Sequence, residues 1–292
     1  MTGTVPNFLI IGAHKAGTSS LHRYLQQHPE VFLPALKEPR FFSYDPDGSD
    51  VEPSPYAWGP RLHPVRTWND YLDLFAPVTT QRAVGEASPC YLNHPRSPGR
   101  IRQALPDVRL IVSLRDPVDR AYSGYLMAVR DIGETRSFAD TIGGVRTAWH
   151  DNLAYYAPCR RYLECFPRAR MKFVRAEALN AQPAAVLEDL FAFLEVDPAF
   201  APDTSRQFNT GGVPRSRRLQ RVLNHRYVRR LRPYVPAVFR NTLKPLRQAN
   251  LREPPRLDTE TRARLIERLR DDILRLQDLL DMDLSDWLRV ER

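Results

Sequence analysis

The sequence predicts an α/β fold: one domain spanning residues 1–292, with a mostly parallel central sheet flanked by helices. Three observations carry that expectation. Short, nearly unbroken apolar runs recur at Phe8–Ile11, Val108–Leu114 and Met171–Val174, the pattern of buried strands. Segments with helical apolar spacing alternate with them, which argues for a parallel, doubly wound sheet. The first run also passes through a glycine-bearing loop straight into a helix.

Each element follows from local signals. Phe8–Ile11 ends at Gly12, and after the loop Thr18, Ser19 and Ser20 offer an N-cap for a helix whose stripe begins with Leu21 and Leu25. His28-Pro29 stops that helix, and Val31–Leu33 reads as a second strand. Residues 45–66, rich in Pro, Asp, Gly and Ser, read as an irregular loop. Thr67–Phe75 reads as a short helix with Trp68, Tyr71, Leu72 and Phe75 on one face. Arg82–Glu86 reads as a strand and Pro98–Leu105 as a helix. Val108–Leu114 is the clearest central strand and leads into a helix that continues to about Arg130. A helix over 152–165, the strand Met171–Val174 and a helix over Ala184–Leu194 follow. Asp258 caps a long final helix with Leu265, Ile266, Leu269, Ile273, Leu276 and Leu280 in its stripe, and Trp287 serves as an anchor beyond it.

The strand–loop–helix over 8–25 is an anion site in outline: free backbone N–H groups and the positive end of the helix dipole converge there. Gly12 and Gly17 have the glycine spacing of the Walker A loop G-x-x-x-x-G-K-[ST]. The lysine, however, is Lys15, in the middle of the loop, and Thr18 stands where Walker A has its lysine. A nucleotide triphosphatase needs that lysine at the β/γ-phosphates, so this loop suits a different phosphorylated ligand. Lys37-Glu38-Pro39 precedes Arg40 and two aromatics at a strand end, where parallel sheets carry ligands. Arg115, at the end of the central strand, and Ser123, two turns into the next helix, suit a phosphate as a charged fork plus a hydroxyl donor. An Arg115–Asp119 capping pair is the alternative.

The 292 residues carry 43 Lys and Arg against 34 Asp and Glu, a net charge of +9 that favours anionic ligands, nucleic acid or membrane surfaces. That excess is local. Arg215–Arg256 holds 13 of the basic residues and a single acid, Glu253, so the remainder is slightly acidic. This counts against a general nucleic-acid binder. The basic segment reads as a helix docked on the core with a cationic face, near the cofactor and acceptor, and as the part that would make any peripheral membrane contact. Cys90, Cys159 and Cys165 have no zinc spacing and read as free thiols of a reducing compartment, here the cytoplasm. Neither a signal peptide nor a spanning segment is evident. A P-loop-type nucleotide kinase and a basic nucleic-acid-binding protein are the rival classes.

Taken together, Lys15–Thr18, Lys37-Glu38-Pro39, and Arg115 with Ser123 resemble the sulfotransferases that use 3′-phosphoadenosine 5′-phosphosulfate (PAPS). The likeness is to the branch containing the heparan sulfate N- and O-sulfotransferases and their soluble bacterial relatives. It covers most of the chain, including the Gly-Gly basic loop at 211–218 and the last Asp-Leu-Ser-Asp-Trp287. The resemblance implies a P-loop-like loop in which Lys15, Ala16, Gly17, Thr18, Ser19 and Ser20 hold the 5′-phosphosulfate. It implies that Arg115 and Ser123 hold the 3′-phosphate, with Arg215 and Arg217 contacts from the late loop. Lys15 would stabilise charge on the leaving phosphate, and Glu38 would take the acceptor proton, with His14 as the second candidate base. PAPS would be the donor and PAP the product, with no metal required. The acceptor would be a hydroxyl or amine of a carbohydrate, glycolipid or natural product. Where the heparan enzymes carry a lysine near Glu86–Ser88, this chain has Gly85-Glu86-Ala87-Ser88.

Overall fold

The computed structural model of the chain describes residues 4–44, 65–143, 153–205, 212–216, 219 and 249–291. Five strands, β1 (Phe8–Gly12), β2 (Val31–Phe32), β3 (Ala83–Ala87), β4 (Arg109–Leu114) and β5 (Met171–Arg175), form one sheet in the order β2-β3-β1-β4-β5. Every neighbouring pair is parallel. Covered on both faces, β1 sends Leu9 and Ile11 into one core and Phe8 and Ile10 into the other. That is the period-2 alternation of a strand buried on both sides.

Helices α1 (Thr18–Leu25) and α8 (Pro183–Phe193) cover the face of Phe8 and Ile10. The opposite face packs against α2 (Trp68–Asp73), α3 (Ser97–Ala104), α6 (Tyr156–Cys165) and the final α9 (Thr259–Leu280). Asp258 caps α9 by accepting from the Thr261 amide at 2.7 Å, and Trp287 beyond it is fully buried. Between these elements run α4 (Pro117–Asp131), α5 (Phe138–Gly143) and α7 (Ala176–Ala181). Asp116, not Arg115, caps α4: its carboxylate accepts from the Val118 and Asp119 amides. Asp119 is drawn instead to Arg262 of α9, which also pairs with the buried Asp116 at 3.2 Å. The alternative Arg115–Asp119 capping pair therefore does not form.

Within the late glycine-rich loop, β6 (Val213–Pro214) pairs antiparallel with β7 (Leu251–Arg252). Arg217 and almost all of the basic stretch that follows lie outside the described residues, as does most of the 45–66 loop.

The strand order sets where a ligand can sit. From β1 the chain crosses to β2, on one side; from β4 it crosses to β5, on the other. Adjacent strands whose connections part in opposite directions leave a crevice at their C-terminal ends. The loops beyond β1 and β4 carry Lys15 and Arg115.

Candidate active site

The loop after β1 is held from below. Ala13 N–H donates to Ser113 O of β4 at 2.6 Å, and the Ser113 hydroxyl donates to Ala16 O. Gly17 then takes φ 82°, left-handed backbone, and is itself the N-cap of α1, without a side-chain cap. The expected capping by Thr18, Ser19 or Ser20 is thus corrected. The pinned loop delivers the chain to the helix through a conformation open to glycine, so the hydroxyls fall inside the helix. The Ser20 and Leu21 amides both donate to Gly17 O, while the Thr18 and Ser19 amides, with no side-chain cap over them, are left to serve an anion.

Cations gather round this helix end. Arg115 extends its guanidinium to Lys15 O at 3.4 Å. Its backbone is fixed by the buried Tyr155 hydroxyl, which accepts from Arg115 N–H and donates to Arg115 O. Lys15 Nζ lies 3.9 Å from Met127 Sδ on α4. Ser123 is four residues before Met127, and Arg130 three after, so all three share one face of α4. That face looks toward the Lys15 loop. Burial, then the charges of Arg130 and Arg115, bring the Lys15 ammonium down to about 8. Arg130 itself is paired with Asp131, and an anion bound beside Lys15 would relieve the crowding of its ammonium by the two arginines. Arg130 was not anticipated; its position seven residues after Ser123 on the same helical stripe was the available signal.

The second loop, after β2, brings in the carboxylate. Glu38 N–H donates to Ala87 O at 3.1 Å and Arg40 N–H to the Ser88 hydroxyl at 3.1 Å, docking the loop on the end of β3. Glu38 Oε2 accepts from Arg40 at 2.6 Å, and Oε1 lies 3.5 Å from Lys37 Nζ. Lys37 Nζ also donates to Ser19 Oγ of α1 at 2.8 Å, which joins the two loops. Burial pushes the Glu38 carboxyl up, but His14, Lys37 and Arg40 outweigh it and hold it below its usual value. The group is therefore charged at neutral pH. His14 is held down to about 4, chiefly by burial, and is neutral there.

Backbone strain marks the same place. Among the described residues, Lys15, Glu38, Arg40, Glu195 and Asp281 are the non-glycine residues with positive φ. Glu195 and Asp281 follow helix ends, where left-handed residues are ordinary. The other three, at φ 65°, 61° and 58°, all lie on the two loops of the site. Such conformations cost about 1–3 kcal/mol each and cluster where function fixes a side chain.

Beneath Glu38, on β3, lies Glu86, fully buried. Burial raises its carboxyl to about 8; the nearby hydroxyls of Tyr91, Ser88 and Tyr71 favour the charged form, and the Glu38 charge opposes it. Neither carboxyl oxygen closes a hydrogen bond of good geometry. A raised folded value means that the folded protein keeps this proton while the unfolded chain, near 4.5, loses it. Stability from this group is complete below 4.5 and falls as pH rises toward 8. The slope is about 1.4 kcal/mol per pH unit, or roughly 3 kcal/mol lost by pH 7. Glu86→Gln should therefore unfold at a higher temperature than the parent at pH 8, with the difference shrinking at pH 5. Parallel melting profiles across that range would remove the assignment.

Of the other expected residues, Ala16 and Thr18 are buried, and Ser20 lies partly exposed in the first turn of α1. Arg215 is exposed, and its Nε donates to Leu251 O at 3.2 Å across the β6–β7 pair. The structure thus brings together Lys15, Ser19, Glu38 and Arg115, places Ser123 on the facing helix surface, and engages Arg215 with β7. His94 meets the Ser97 hydroxyl at 2.9 Å, while His63 and His150 lie outside the described residues. Among the described residues, no three His, Cys, Asp or Glu side chains are grouped to hold a metal ion, and no helix is long and apolar enough to cross a membrane.

Comparison with known proteins agrees on one family. Residues 6–201 match the model described as "Sulfotransferase family". A solved sulfotransferase from Alicyclobacillus acidocaldarius is 33% identical, with a TM-score of 0.74, over 98% of this chain and 100% of its own. The human heparan sulfate glucosamine 3-O-sulfotransferase 3B1 is 31% identical over 65% of this chain and 46% of its own length. The bovine bifunctional heparan sulfate N-deacetylase/N-sulfotransferase 2 is 29% identical over 66% of this chain and 22% of its own. The chain thus spans less than half the length of these curated relatives.

Proposed function

Since the chain belongs to the sulfotransferase family, we propose that it transfers a sulfuryl group from PAPS to a hydroxyl or amine of an acceptor and releases PAP. The observation that carries this reading is the meeting of two loops at the C-terminal ends of the parallel strands. One holds an uncapped helix end with Lys15, the other a charged carboxylate, and Lys37 spans between them.

Lys15 and the amides and hydroxyls of residues 16–20 suit the 5′-phosphosulfate; Arg115 and Ser123 suit the 3′-phosphate; Arg130, paired with Asp131, lies on the same side. PAPS supplies an activated sulfuryl group with a phosphate as leaving group. Lys15 would meet the negative charge that grows on that phosphate, which preorganised donors stabilise best in a site shielded from water. Glu38, held charged by Lys37 and Arg40, would accept the acceptor's proton. Arg215 and Arg217 remain candidates for covering the nucleotide. The acceptor class on this reading is a carbohydrate, glycolipid or natural product. We read residues 1–292 as a single catalytic domain, supported by a likeness to a solved sulfotransferase over 98% of the chain. The thiols of Cys90, Cys159 and Cys165 are unbridged, which suits the reducing cytoplasm.

Calorimetry tests the reading. PAP should bind in the presence of EDTA, and ATP at least about tenfold more weakly, because ATP leaves the Arg115 side without its phosphate. Equal affinities, or PAP binding that requires a divalent metal, would remove the proposal.

A further inference from the structure

Lys37 occupies the junction of the two loops. Its Nζ donates to Ser19 Oγ, in the first turn of α1, at 2.8 Å and lies 3.5 Å from Glu38 Oε1. An ammonium carries three N–H donors, and among the described residues Ser19 and Glu38 account for two. Lys15, by contrast, turns its Nζ the other way, against Met127 on α4. Lys15 thus reaches α4, and Lys37 the first turn of α1 and Glu38.

Holding Glu38 in place does not by itself explain Lys37. Arg40 already grips the carboxylate at 2.6 Å, and the Lys37 and Glu38 side chains are each 26% exposed, where an ion pair at 3.5 Å contributes little. What Lys37 adds is a cation between Ser19, at the end of α1 that the proposed function gives to the donor, and Glu38.

Resting on the sulfotransferase reading above, we propose that Lys37 is a second catalytic lysine, which contacts the sulfuryl oxygens while the group passes from donor to acceptor. In that step the acceptor oxygen or nitrogen forms a bond to sulfur with its lone pair, and its proton passes to Glu38. The bond from sulfur to the bridging oxygen of the 5′-phosphate breaks, and that oxygen keeps the electron pair, on the Lys15 side. The peripheral oxygens of the sulfuryl group then lie between the two loops, within the reach of Lys37. The ammonium already donates to the Ser19 hydroxyl, so contact with a sulfuryl oxygen would exchange one oxygen partner for another rather than strip the cation bare.

The proposal separates sulfuryl from phosphate contact, so binding tests it without turnover. Calorimetry with PAPS and with PAP, without acceptor, is compared in the parent and in Lys37→Met. PAPS affinity should fall about five- to tenfold in the variant while PAP affinity stays within about twofold. Turnover should fall about 10- to 100-fold, with Lys37→Arg recovering part of it. An equal loss for PAP and PAPS would assign Lys37 to the phosphate and overturn the proposal. So would unchanged PAPS binding with only the acid limb of the kcat profile displaced, since that marks a residue that merely sets the Glu38 charge. If the unmodified protein binds neither PAP nor PAPS, the sulfotransferase reading itself fails, a distinct result.

Discussion

Glu38→Gln should lower kcat by roughly 10²–10⁴-fold, the usual contribution of a general base, while PAP affinity stays within a few-fold. The substitution keeps the shape and the Arg40 contact but removes the charge that accepts the proton. On the proposed reading Glu38 faces the acceptor; it meets α1 through Lys37 and Ser19, and in the Lys15 loop it is His14, not Lys15, that bears on its charge. Lys15→Ala should behave differently, lowering both donor affinity and kcat, because on the proposed reading its ammonium meets the donor in the ground state and more strongly in the transition state. The acid limb of the parent's kcat profile should fall below the ordinary carboxylate range, since the folded Glu38 carboxyl is held low. Paired calorimetry and PAPS turnover decide the matter. Full activity in Glu38→Gln would pass the base role to the neutral His14. Loss of PAP binding would make Glu38 a structural partner of Lys37 and Arg40.

Where the sequence spoke plainly, a single strong signal covered the element. The buried runs at Phe8 and Val108 became β1 and β4, and the Leu265-to-Leu280 stripe became one face of α9 with its Asp258 cap. Lys15 and Glu38 were legible because each sits in a short motif beside glycine or proline, where the chain must turn. Other features depend on distant contacts. Gly17, rather than Thr18, caps α1 because Ser113 pins the preceding loop from a strand nearly a hundred residues later. Arg130 looked like any surface arginine until α4 was laid over the Lys15 loop. Val213-Pro214 pairs with Leu251-Arg252, and a proline in so short a strand argues locally against pairing. Glu86 reads as an ordinary strand-end acid; only the burial of β3 between β2 and β1 makes it neutral.

Arg115→Ala should cost roughly 2–5 kcal/mol of PAP affinity, or about thirtyfold to several thousandfold, if the guanidinium meets the 3′-phosphate away from water. The argument starts from position. Arg115 directly follows β4, beside the crevice between β1 and β4, and Tyr155 fixes both its amide and its carbonyl. Its guanidinium is already turned toward the Lys15 loop, at 3.4 Å from Lys15 O. An arginine so placed loses less freedom on binding than a surface side chain does, which favours a large effect. The comparison ligand is adenosine 5′-phosphosulfate, which lacks the 3′-phosphate. The parent should prefer PAPS over it strongly, and Arg115→Ala should abolish most of that preference while leaving affinity for adenosine 5′-phosphosulfate within a few-fold. Arg115→Lys should recover only part, because an ammonium restores the charge and not the planar fork. Ser123→Ala should show the same pattern at smaller size, about 1 kcal/mol for a hydroxyl donor. Calorimetry of the two ligands against the parent and the three variants reads the coupling directly. If Arg115→Ala weakens both ligands equally, the arginine serves the 5′ side or the Lys15 loop, and the 3′-phosphate must be held elsewhere, with Arg130 the next residue to test.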